Sequence, residues 1–475
     1  MRERLAELVS TGPLGQLLWR PWYDRVSLPL VTSLVFPLSR AWAAADAACA
    51  QSEAGGLDGV GFQAAFLKAV GDPARARAPA HNTLRLFAKG RRSYLEAEAA
   101  FEDALFAPRA KAPSPDRLAS LAEVRDKAAV KFMGQRTLFG LQQVKQRFPP
   151  VRFSVDAPGA VMRAQRDRLV DPAAAFAPPG GKTALRLSHA VPGPRFTRHY
   201  LRADGPDGAS DVSPGPTRAV VLTPNECVPR AALVIAHGIG MEEDFWGGYS
   251  SLTDWLLGQG CAVVLPEGPW HGRRRPHGHH GGRYGGEVVV ARGPAGLIDY
   301  FGTHVPELGA LIGWARDRWS VPVGLIGISL GALSAQMVLA HAGPWGEAMT
   351  PDAALLVAPS DDVEQTVFEG ALTSGIGATD ALAAHGWTPD SIRTLRPVFE
   401  PPAGAQPAID PAAILVALGT QDRVVPFATG VGRCDAWKIP MENRFLREQG
   451  HFALSLGLPA QPEPLDRLIG LLAKA

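Results

Sequence analysis

The chain has 475 residues, 46% of them hydrophobic, so it can bury a large core in two or three domains and does not read as disordered. Its formal net charge of +2 removes any global electrostatic pull toward nucleic acid or an acidic membrane. Its 4 cysteines, Cys49, Cys227, Cys261 and Cys434, form no C-x-x-C pair, which favours reduced thiols in the cytoplasm over a disulfide framework or a zinc site.

Residues 1–148 read as a helical region. "RERLAELVS", "GFQAAFLKAV", "YLEAEAAFEDALF" and "RLASLAEVRDKAAVKFMGQRTLFGLQQVKQRF" repeat apolar residues every three or four positions, with Pro- and Gly-rich loops between them. "VSLPLVTSLVFPL" at 26–38 is too short for a membrane span, and Pro29 and Pro37 interrupt it. It is expected to dock on the protein core, with contact to a membrane surface as the alternative. As a signal peptide it is poor: the preceding segment is long and "AADA" is a weak cleavage site. Residues 149–185 are rich in Pro and Arg and read as a connector. "PPGGKTA" ends like a phosphate-binding loop, but Phe176 stands where such a loop needs its first glycine.

From residue 186 the pattern changes. "RAVVLTP", "AALVIAHG", "CAVVLPEG", "PVGLIGIS", "AALLVAPS" and "AILVALGT" are short, continuous apolar runs separated by helical stretches. Runs of that kind suit strands covered on both faces, so 186–475 is expected to form a mostly parallel α/β sheet. Segment 361–411 is too long for an ordinary connection and has the length of a cap over a pocket.

The fourth run leads into "GISLG". A serine hydroxyl is a poor nucleophile until a base and an oxyanion site are held beside it. A tight strand-to-helix turn exposes its Oγ above the sheet, and Gly327 and Gly331 remove side chains that would collide there. The helix after Ser329 also directs N–H groups at developing negative charge. The pentapeptide alone is a weak signal in a glycine-rich chain; the strand before it and the helix after it carry the reading. "AHGIG" ends another strand, and the N–H of Ile239 can join that of Leu330 as an oxyanion donor. Asp422 in "GTQDRVVP" and His451 in "QGHF" follow further along. The order Ser, Asp, His, with each residue just past a strand-like run, is more specific than any member alone.

With these residues, 190–475 resembles the α/β-hydrolase superfamily. The resemblance implies Ser329 as nucleophile, His451 as general base and then acid, and Asp422 as the carboxylate that orients it. Asp361 and Asp362, after another strand, are the alternative acids. "AHGIGMEEDFWGGYSSLTDWLLGQGCAVVLPEGPWHGRRRP" is similar to the abhydrolase-domain-containing 18 type, which does not account for the N-terminal helices. His237 and Trp246 are candidate substrate contacts.

"WHGRRRPHGHHGGRYGG" collects His271, His277, His279 and His280 with Arg273, Arg274, Arg275 and Arg283. No carboxylate or cysteine is interleaved, so an exposed basic loop is expected ahead of a metal site. At a pocket mouth, Arg273 and Arg275 would hold an anionic part of a substrate. The expected function is a serine hydrolase acting on a small-molecule carboxylic ester, without metal or cofactor. Thioesterase, amidase, lipase, acyltransferase and a non-catalytic binding protein on the same scaffold are the alternatives; oligomeric state is open.

Overall fold

The computed structural model describes residues 19–55, 59–71, 78–178, 184–205, 209–240, 250–276 and 282–475. The first half of the chain is helical: α1 (Pro21–Leu30), α2 (Phe36–Gly55), α3 (Gly59–Val70), α4 (His81–Leu105) and α5 (Pro115–Gly134). "RERLAELVS" lies outside the described residues. The stretch 26–38, expected to be broken by its prolines, instead runs through a wide turn at Val31–Val35 that joins α1 to α2. Pro29 and Pro37 each lack an N–H, and the wide turn lies between them, where the helical ladder is depleted of donors. Thr32 Oγ1 and Ser33 Oγ donate to the carbonyls of Leu28 and Pro29 at 3.0 and 2.5 Å.

The resulting helix, Pro21–Glu53, is long and apolar enough by length and composition to cross a membrane, but much of it is buried within the protein. The middle of α2 is buried on every side, and the two charges it carries there, Arg40 and Asp46, are both ion-paired. Ala41, Ala43, Ala44, Ala45, Ala47 and Ala48 are buried around Trp42, with Phe66, Phe87, Phe132 and Phe139 completing this core. The small side chains allow close approach: a Cβ added to Gly282 would lie 2.6 Å from Ala47 Cβ. The segment expected to be a connector carries short helices, Pro158–Ala164 and Pro172–Phe176, each with proline in its first turn. Val161 and Phe176 join the main core, so this part of the chain covers the sheet domain as well as linking to it.

The second half forms one nine-stranded sheet in the order β1-β2-β3-β5-β4-β6-β7-β8-β9. The strands are β1 (Leu185–Leu187), β2 (Phe196–Ala203), β3 (Arg218–Pro224), β4 (Ala231–Ala236), β5 (Cys261–Pro266), β6 (Val323–Ile328), β7 (Ala353–Val357), β8 (Ile414–Gly419) and β9 (Arg444–Arg447). β1 pairs antiparallel with β2, β2 with β3, and β3 with β5; β5, β4, β6, β7, β8 and β9 are parallel. All six apolar runs are strands, β3 to β8. Both faces are covered, which is why these runs do not alternate. Ala232, Val234 and Ala236 of β4 face α7 (Pro294–Trp319) and α8 (Leu330–His341). Leu233 and Ile235 face α6 (Ser250–Gly258) and α10 (Glu463–Leu472). The helix α9 (His451–Leu456) lies between β9 and α10. This mostly parallel sheet, with helices on both sides and a serine on the β6–α8 turn, is the α/β-hydrolase fold. Between β7 and β8, segment 361–411 forms short helices, among them Val363–Glu369 and Ala378–Ala384.

Candidate active site

Parallel strands deliver their following loops to one sheet edge, and the site lies there. Ser329 connects β6 to α8 at φ 56°, ψ −118°. A non-glycine residue in that region is strained by roughly 1–3 kcal/mol, and it persists only when its surroundings hold it. The surroundings are backbone. A Cβ on Gly331 would lie 2.0 Å from Ala236 O, and one on Gly327 would lie 2.6 Å from Gly331 O. The absent side chains therefore let the end of β4 and the start of α8 meet at the serine.

The same contact brings the turn after β4 alongside. A Cβ on Gly238 would be 3.9 Å from Ser329 Oγ. Among the described residues, the N–H groups of Ile239 and Leu330 donate to no protein acceptor.

Ser329 Oγ lies 2.9 Å from His451 Nε2, and His451 Nδ1 lies 2.8 Å from Asp422 Oδ2. His451 opens α9, just past β9. Asp422 follows β8, and its other oxygen accepts from the N–H groups of Val424 and Val425 at 2.8 and 2.9 Å. Burial alone would depress the imidazole pKa. The charge and hydrogen bond of Asp422, with a contribution from Asp24, outweigh burial and raise it. The alternative acids are engaged elsewhere. Asp362 caps Val363–Glu369 by accepting from Gln365 N at 2.8 Å and pairs with Arg396 at 3.0 Å. Asp361 faces Arg433, and its carboxyl is raised chiefly by burial.

His237, expected to contact substrate, instead holds the protein together. Its ring is buried; Nδ1 donates to Gly238 O at 2.7 Å, and Nε2 accepts from Gly268 N at 2.9 Å. Gly238 O and the Ile239 N–H belong to one peptide plane, so this bond fixes the direction in which that N–H points. Burial pushes the His237 pKa down to about 4, so the ring stays neutral. His271 accepts from Gly240 N through Nε2 at 3.2 Å, and burial lowers its pKa as well. Sequence reasoning placed His271 in a loop and missed this supporting role.

The basic cluster is not an exposed loop where it is described. Arg273 pairs with Glu267 at 2.6 Å and stacks on Tyr200. Arg274 pairs with Glu307 at 2.8 Å, and Arg283 with Asp211 at 3.2 Å. Arg275 lies over the Trp42 ring at 4.2 Å. Arg273 and Arg275 are thus committed to contacts within the protein, which removes them as substrate clamps. Of the carboxylates that hold the cluster, Glu267 lies only six residues before Arg273, whereas Glu307 comes from α7, 33 residues beyond Arg274, where no local pattern reveals it. Trp246, His277, His279, His280 and most of "PPGGKTA" lie outside the described residues. Among the described residues no cluster of His, Cys, Asp and Glu is arranged to hold a metal ion.

Comparison with known proteins gives a bounded result. No protein-family profile matches the chain, and no curated protein matches it. Among solved structures it is similar to acetyl xylan esterase 1 from Thermoanaerobacterium sp., at 16% identity and a TM-score of 0.42, covering 64% of this chain and 96% of that one. A cold-adapted esterase from an Arctic intertidal metagenomic library gives 16% identity and a TM-score of 0.35, covering 60% and 97%. The acylaminoacyl peptidase of Pyrococcus horikoshii gives 12% and 0.39, covering 58% of this chain and 40% of that one. At these scores the fold reading rests on strand order and on the serine turn.

Proposed function

We propose that this protein is a serine hydrolase that cleaves a carboxylic ester through an acyl-enzyme. The observation that carries the reading is the chain of hydrogen bonds from Ser329 to His451 to Asp422, built on a positive-φ serine. His451 Nε2 takes the Oγ proton as Oγ attacks the ester carbonyl. The carbonyl oxygen becomes an oxyanion within reach of the Ile239 and Leu330 N–H groups. Collapse of the tetrahedral species breaks the bond to the alcohol oxygen, and His451 gives that oxygen its proton. The alcohol leaves and the acyl group stays on Ser329. Water then gives a proton to His451 and its oxygen to the acyl carbon. The second collapse returns the proton to Oγ and releases the acid. Asp422 keeps Nδ1 protonated throughout and stabilises the imidazolium.

The same steps serve a thioester or amide, with the leaving atom changed from oxygen to sulfur or nitrogen. The four cysteines are free thiols, which supports a cytoplasmic location. The test is labelling with a fluorophosphonate, followed by mass-spectrometric mapping. Modification of Ser329, lost in His451→Ala, supports the reading and leads to a panel of esters, thioesters and anilides. Folded protein that is not labelled would return the scaffold to a binding role.

A further inference from the structure

The N-terminal helix reaches the catalytic edge. Asp24 on α1 accepts hydrogen bonds from the N–H groups of Phe452 and Ala453 at 2.7 and 3.0 Å. These are among the first N–H groups of α9, the helix that begins at His451, and none of them has an acceptor within that helix. A helix of this kind is usually capped by the residue just before it. Here that residue is Gly450, which has no side chain to do so. The substitution is steric as well: a Cβ on Gly450 would lie 2.4 Å from Asp24 Cγ. The glycine makes room for a carboxylate that arrives from 426 residues earlier, the difference between positions 450 and 24.

Neighbouring contacts hold this arrangement. Gln449 Nε2 donates to Trp19 O at 2.8 Å, and Trp19 packs against Ala453. Further along the same helical rod, Thr32 lies against Gly375, and Phe36 lies beside Gly240 of the turn that bears Ile239.

We propose that Asp24 is a positioning residue for the general base: it anchors the helix start that carries His451 and places a second carboxylate near the imidazole. The inference rests on the catalytic reading of Ser329, His451 and Asp422. The groups facing His451 are Asp422 from the loop after β8, Ser329 from the β6–α8 turn, Phe452 from α9 and Asp24 from α1. Around Asp24 itself stand Tyr23 and Arg25 on its own helix, Asp422 beside the imidazole, and Arg423 across a cavity of about 380 Å³. Burial raises the Asp24 carboxyl, and the two N–H groups and His451 oppose that rise. The pairwise effect has a definite sign. A negative Asp24 favours imidazolium, so its removal lowers the His451 pKa.

The experiment compares wild type with Asp24→Asn, Asp24→Ala and Asp24→Glu. One readout is the pH dependence of the rate of fluorophosphonate labelling. The other is the titration of the His451 imidazole by NMR in the Ser329→Ala background, with His451→Gln for assignment. Asp24→Asn should move the His451 midpoint to lower pH by roughly half a unit and lower the plateau labelling rate roughly threefold to tenfold. Asp24→Ala should lower the plateau further, and Asp24→Glu should recover the midpoint but only part of the rate. An unchanged midpoint with an unchanged plateau in folded Asp24→Asn overturns the inference.

If the Asp24 variants do not fold, reciprocity supplies a second test. His451→Gln should raise the Asp24 carboxyl titration measured with carboxyl-labelled aspartate, and no movement overturns the inference. A midpoint shift without any labelling of Ser329 would leave the positioning intact and reject the catalytic reading. Labelling that is indifferent to Asp24 would do the reverse.

Discussion

The serine turn and the N-terminal helices are both fixed tightly, but by different means. At Ser329 position comes from backbone against backbone, through glycines within two residues of the serine. In the helical layer it comes from charged side chains meeting partners far along the chain. Arg40 pairs with Glu287 at 2.6 Å, both fully buried and 247 residues apart. Arg91 pairs with Asp46 at 2.6 Å, and Arg275 covers Trp42. The first device is written in five consecutive residues. The second exists only after folding has brought together segments tens to hundreds of residues apart.

The comparison can be broken at several points. Ser329→Ala should leave the fold intact and reduce kcat about 10⁶-fold against any ester the wild type hydrolyses. Asp422→Asn should cost about 10⁴-fold through the wrong imidazole tautomer, with the hydrogen-bond geometry otherwise kept. Asp362→Asn, at the neighbouring strand end, should change kcat by less than about threefold, because its contacts are to a cap and to Arg396. Steady-state kinetics on one activated ester separates the three.

The two devices also differ in how they fail. Gly331→Ala forces a side chain onto the Ala236 carbonyl and should destabilise by several kcal/mol, about 3 or more, with loss of labelling. Glu287→Gln leaves Arg40 and Arg283 buried beside a neutral group. It should cost about 3–5 kcal/mol in urea unfolding while the residual folded protein still labels at Ser329. If Glu287→Gln cost less than about 1 kcal/mol, the helical layer would be an appendage and not part of one cooperative unit.

The smallest effects are pH effects. His237 has a folded pKa of about 4, below its unfolded value, so the folded state binds fewer protons in between. Its contribution is complete above the ordinary imidazole range and is lost as pH falls toward 4, amounting to at most about 3 kcal/mol. Urea midpoints from pH 7 to pH 4 should decline, and His237→Gln should flatten part of that decline. The raised pKa of His451 makes activity fall in the same direction, toward acid, but at a higher pH. The base must be neutral, so labelling should rise with pH through a midpoint above the ordinary imidazole value.

Much of the sheet domain was legible because its signals are local. Strands buried on both faces read as unbroken apolar runs, and β3 to β8 could be placed from them. β9 is fainter: Arg444–Arg447 is half polar because it forms a sheet edge, so it is not among the six apolar runs and shows only as the short strand-like stretch before His451. β2 was missed for a similar reason, since Phe196–Ala203 pairs antiparallel near the other edge and carries Arg198, His199 and Arg202. The histidines and arginines misled because composition shows charge but not burial. "WHGRRRP" looks like a solvated loop until Glu307, Tyr200 and Trp42 are brought to it.

By itself the sequence determined a strand–serine–helix turn, the glycines it requires and the order of Ser329, Asp422 and His451, because these depend on backbone sterics within a few residues. The tertiary structure decided which carboxylate faces His451, that His237 and His271 brace the turn bearing Ile239, and that Asp24 caps the helix carrying the base. Those outcomes depend on the desolvation and pairing of polar groups separated by tens to hundreds of residues, and such groups find their partners only when the chain has folded.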